Sequence, residues 1–112
     1  MSSAINWRIE IGLIAGPYDG NRKNWLARVA RKTGVSYRQI KSLWYGESVN
    51  PKADVAIDVL SAAQNAREEA RRLATRFESL AGAMNATDSD FYSDDVAALI
   101  QAAQLLRGSD RA

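Results

Sequence analysis

The chain has no cysteine and no histidine in its 112 residues. Without cysteine there are no disulfides, thiol nucleophiles or thiolate metal ligands. Without histidine there is no imidazole acid–base chemistry, and the commonest zinc ligand is missing. A disulfide-free chain suits a reducing, cytoplasmic setting. No apolar run approaches membrane-spanning length, so no membrane partner is expected. The opening Met1 to Glu10 lacks the basic start and long apolar stretch of a secretory signal. Asn85-Ala86-Thr87 matches a glycosylation acceptor, which has meaning only in a secreted chain. The carboxylates are scattered, and no constellation can activate a nucleophile. The expectation is therefore no enzyme, no cofactor and no metal. Asp88, Asp90, Asp94 and Asp95 lack the glycine and distal glutamate of a calcium loop, and read instead as an acidic turn and helix start.

What is present is alanine and unevenly placed charge. Hydrophobic residues make up 46% of the chain, but many are alanine, so few large side chains build the core. Net charge is only +2, yet residues 22 to 52 carry Arg22, Lys23, Arg28, Arg31, Lys32, Arg38, Lys41 and Lys52 against Glu47 alone, a local balance of +7. From residue 84 onward the balance is −3. A basic segment of this kind is a solvated helix face in most proteins, and becomes an electrostatic footprint for nucleic acid when it coincides with a recognition motif.

Periodicity predicts an all-α chain of five helices, with no alternation long enough for a sheet. The first spans about 3–15, with Ile5, Ile9 and Leu13 and also Trp7 and Ile14 as apolar positions, and stops at Gly16-Pro17-Tyr18-Asp19-Gly20-Asn21. The second spans about 22–33, with Trp25, Leu26, Val29 and Ala30 inward and Gly34 just past its end. The third spans about 36–45, opened by Ser36 as N-cap with Gln39 completing a Ser-x-x-Gln capping box. A loop through Asn50-Pro51 leads to a long fourth helix, from residue 52 or 53 to about 84. Its apolar positions Ala56, Val59, Ala63, Ala66, Ala70, Leu73, Phe77, Leu80 and Met84 recur at intervals of three and four, a heptad stripe that needs a cover. The fifth begins near Ser93, with Asp94 and Asp95 in its first turn and Val96, Leu99, Ile100, Ala103 and Leu106 on its apolar face. Residues 108–112 read as a frayed tail. The organisation expected is residues 1–52 as a helix-turn-helix region, 53–84 as a long, dimerising helix, and 85–112 as an acidic linker with a C-terminal helix.

The stretch Ala30 to Leu43 carries the chemistry. A small residue, a tight glycine turn, and Val35, Ile40 and Leu43 at these offsets allow two short helices to pack at a steep angle. The outer face of the second helix holds Tyr37, Arg38, Lys41 and Ser42, side chains able to reach phosphates or base edges.

Trp25 to Ala63, about a third of the chain, resembles the helix-turn-helix proteins of the phage-repressor (Cro/CI, Xre-like) type. The matching residues are Leu26, Ala30, Gly34, Val35, Ser36, Ile40, Leu43, Gly46, Asn50-Pro51 and the apolar Val55, Ile57, Val59 and Leu60. The resemblance implies that the helix after Ser36 enters the major groove while the helix before it crosses the backbone. The sequence departs from that pattern at Leu26, where a glutamine is common, at the Trp44-Tyr45-Gly46-Glu47 ending, and in its long Arg/Glu-rich fourth helix. That ending and the Trp7-Arg8-Ile9 opening are similar to small helix-turn-helix proteins of rhizobia and their phages or integrated elements.

The residues expected to contact double-stranded DNA are Ser36, Tyr37, Arg38, Lys41, Ser42 and Tyr45, with Arg31, Lys32, Arg22, Lys23 and Lys52 as backbone contacts. Arg38 suits a guanine edge or a phosphate. Tyr37 suits a sugar or thymine methyl, or a helix end. Gln39 is expected to serve the cap, and Trp25 and Trp44 the core. The function implied is a sequence-specific transcriptional regulator, a homodimer in the cytoplasm at the nucleoid. The alternatives are a DNA-packaging protein of small-terminase-like oligomeric form, or a protein-interaction module without DNA binding.

Overall fold

A computed structural model describes residues 5–47 and 50–109, and every described element is helical. The helices are α1 (Trp7–Ala15), α2 (Arg22–Thr33), α3 (Tyr37–Trp44), α4 (Ala53–Thr87) and α5 (Ser93–Ser109). The all-α reading and the long fourth helix hold, and α4 runs unbroken for 35 residues. The chain divides into two compact units, Met1–Ala66 and Arg67–Ala112, so the division falls inside α4. The expected helix start at Ser3 and the far end of the tail lie outside the described residues.

Each of the first three helices opens on a side chain that accepts an otherwise orphan backbone N–H. Asn6 accepts from the N–H of Ile9, Asn21 from Asn24, and Ser36 from Gln39. The capping box at α3 takes a variant form. The Ser36 hydroxyl accepts from the Gln39 N–H at 3.2 Å and donates to Gln39 Oε1 at 3.0 Å. Gly34 ends α2 with φ of 75° and ψ of 4°, a left-handed conformation that disfavours any residue with a Cβ. Its N–H donates to the carbonyl of Ala30 and closes the turn into α3.

The first unit buries one cluster: Trp7, Ile11, Ile14 and Ala15 from α1, Trp25, Leu26 and Val29 from α2, Val35, Ile40 and Leu43 around α3, and Val55, Val59 and Ala63 from the start of α4. Ile11, Leu26, Val29, Ile40 and Val59 have no exposed surface. Ala30 is partly buried against this cluster, where a small residue permits close helix approach. On α1 the buried face is Trp7, Ile11 and Ile14, while Ile5 stays 46% exposed. Apolar residues surround α1 at two competing registers, and the one that turns inward carries Trp7, Ile11 and Ile14.

The end of α1 is held by α2. Trp25 Nε1 donates to the carbonyl of Gly16, Arg28 to that of Ala15 and Lys32 to that of Ile14, each at 3.0 Å. These three side chains satisfy carbonyls that α1 itself leaves without partners. Arg28 also pairs with Asp19 at 3.2 Å.

In the second unit, the distal part of α4 and α5 form a helical hairpin. Its fully buried side chains are Ala74, Ala81 and Ala103. Alanine at the seam lets the two helices approach closely. Asp88 fastens the turn, accepting from the N–H of Phe91 at 3.1 Å. Arg107 of α5 reaches both carboxylate oxygens of Glu78 and the hydroxyl of Thr75 on α4. The covered positions on α4 are therefore Ala74 and Ala81, about 100° around the helix from Leu73 and Leu80 of the expected stripe. Leu73 and Leu80 stay 38% and 49% exposed.

Candidate nucleic-acid interface

The α3 helix has two opposite faces because its sequence does. At about 100° per residue, Arg38, Lys41, Ser42 and the following Tyr45 fall within an arc of about 100°, with Ile40 and Leu43 on the far side. Ile40 and Leu43 are buried, whereas Arg38, Lys41 and Tyr45 are exposed and Ser42 is half-exposed. The helix is pinned to the core by one face and presents the other outward.

The sequence-predicted contacts divide into two groups. The side chains of Arg38, Lys41, Lys52, Arg31 and Lys23 are exposed and make no hydrogen bond, ion pair or ring contact to another described residue. Three of the predicted residues meet in space. Arg38, Ser42 and Lys52 line an open cleft of about 330 Å³. Gln39, Leu43, Asn50, Pro51 and Val55 complete its walls. Two cationic side chains and a hydroxyl around one concave surface form a suitable seat for an anionic oxygen.

The other group is engaged within the protein. Ser36 holds the N-terminus of α3. Tyr37 is half-buried against the core cluster. Lys32 donates to the Ile14 carbonyl. Arg22 stands in an aromatic box, its guanidinium carbon 4.3 Å from the ring centroid of Tyr18, 4.9 Å from Trp25 and 4.7 Å from Trp44. The rings meet edge to face, Tyr18 with Trp25 at 5.8 Å and Trp25 with Trp44 at 5.0 Å. Trp25 is buried and Trp44 packs partly buried against the core, the packing role expected of both.

Arg8 is the participant that sequence reading passed over. Its Nε donates to the carbonyl of Trp44 at 2.9 Å, and its guanidinium lies 5.0 Å from the Trp44 ring. It thereby binds the C-terminal end of α3 to α1. The two residues are 36 positions apart, and no local pattern marks such a pairing.

Among the described residues, no three His, Cys, Asp or Glu side chains gather where they could hold a metal ion, and no helix is long and apolar enough to cross a membrane. Glu78, in the second unit, has its carboxyl held below the usual glutamate range by the hydrogen bond and charge of Arg107. No family model, curated protein or solved structure matches the chain.

Proposed function

We propose that this chain is a sequence-specific DNA-binding transcriptional regulator that acts as a homodimer and inserts α3 into the major groove. One observation carries the reading. The α3 helix is anchored by Ile40 and Leu43 and turns Arg38, Lys41 and Ser42 outward, and neither cation has a partner among the described residues. Arg38 and Lys41 serve as base or phosphate donors, and the cleft formed with Lys52 takes a backbone phosphate. Arg31 and Lys23, outward on α2, extend the phosphate contacts. Arg22 and Lys32 act on the scaffold, since each is engaged within the first unit.

The test is a titration of purified protein against the DNA upstream of its own reading frame and against a scrambled control, at two salt concentrations. Tight binding to the native DNA alone, weakening with salt, is the expected result. Equal affinity for both sequences supports an architectural or packaging role. No binding to either at low salt contradicts the reading and leaves a protein-interaction module.

A further inference from the structure

We propose that the hairpin of α4 and α5 is the self-association surface of this protein, and that two copies pair through it antiparallel. The proposal rests on the homodimer reading above and supplies its surface and orientation.

The hairpin leaves several of its large side chains exposed and others only partly covered. Among the described residues, the three it fully buries are alanines. Leu73, Phe77, Leu80 and Met84 lie within about 60° of one another around α4, to one side of the Ala74 and Ala81 seam. Leu73 and Leu80 are exposed and Phe77 and Met84 only half-buried. Arg107 crosses to Glu78 and Thr75, which lie on the other side of that seam. The open stripe is therefore flanked by α5 on one edge and by Arg72 and Arg76 on the other. A hairpin that fully buries only alanine among its described residues, and covers its larger apolar side chains in part, is poorly stabilised alone, so this stripe calls for a partner.

Charge identifies the occupant. Residues 67–76 contain four arginines and two glutamates, a balance of +2. Residues 77–106 contain Glu78, Asp88, Asp90, Asp94 and Asp95 with no lysine or arginine, a balance of −5. The two ends of the hairpin have opposite sign, so the surface is complementary to itself when turned end for end. A two-fold axis near Leu80 sets the arginine end of each copy beside the acidic tip of the other and buries both leucine stripes together. Parallel pairing sets aspartates against aspartates and is disfavoured.

The test uses the full chain without DNA, so its outcome is independent of the DNA reading. Light scattering at micromolar concentration should give the mass of two chains. Leu73→Glu with Leu80→Glu should give one chain with helical circular dichroism retained. Orientation is read from charge reversal, which leaves the apolar stripe intact. Arg72→Glu with Arg76→Glu, or Asp90→Lys with Asp94→Lys, should each weaken dimerisation about tenfold, and all four together should restore it. A monomer at every concentration, or a dimer indifferent to the leucine changes, overturns the surface. Charge reversals that do not rescue each other overturn the antiparallel orientation.

Discussion

The guanidinium of Arg22 lies 4.7 Å from the ring centroid of Trp44, the last residue of α3. Arg22 opens α2, so the contact ties the start of one helix to the end of the other. Tyr18 and Trp25 enclose the same cation, and Arg8 adds a hydrogen bond to the Trp44 carbonyl. The tilt of the outward face thus depends on cations that sit behind it. Replacing Arg22 with alanine should cost about 1–2 kcal/mol of stability in denaturant unfolding, with lysine recovering part of the loss. An unchanged midpoint for Arg22→Ala contradicts a structural role for the box.

Gly34 makes a separate prediction. A Cβ there meets nothing within 4 Å, so no clash opposes substitution. The penalty is purely conformational, because φ of 75° is unfavourable to a side chain. Gly34→Ala should destabilise the first unit by about 1–2 kcal/mol, read from the shift of the thermal midpoint. Gly82 is the control. It sits within α4 with open space around it, and alanine there should be stabilising by up to about 1 kcal/mol.

The Glu78–Arg107 contact confers a pH dependence of known sign. The Glu78 carboxyl is lowered in the folded state, chiefly by its hydrogen bond to Arg107. Its contribution is present above the ordinary glutamate pKa and is lost as pH falls through the lowered one. The hairpin should lose stability as the pH falls below the ordinary glutamate range, and Glu78→Gln should flatten that part of the profile. The effect is small because the pair is open to solvent. Thermal unfolding across this range, followed by circular dichroism, measures it.

The turn around Gly34 and the cap at Ser36 were legible because each is a local event. So was the burial of Leu26, which stands at the position where the resembled family commonly has glutamine and is completely enclosed here. Two features were not legible. On α1 and distal α4, apolar residues occupy more than one register. Which register turns inward depends on Trp25 and Leu26 opposite α1 and on the alanine seam with α5, contacts that periodicity alone does not contain. The fates of individual cations were hidden for a related reason. Arg22, Arg28, Lys32, Arg31 and Lys41 look alike in a charge count. Only the fold separates those placed on rings, an aspartate or α1 carbonyls from those left facing outward.

Arg38→Ala is the decisive variant for DNA reading by the outward face of α3. Arg38 is exposed and has no partner among the described residues, so the variant should keep the wild-type unfolding midpoint. Its preference for the native upstream DNA over a scrambled sequence should fall by about tenfold or more at fixed salt, corresponding to about 1–3 kcal/mol of base discrimination. A folded Arg38→Ala protein that keeps the full wild-type preference means that this face of α3 does not read DNA.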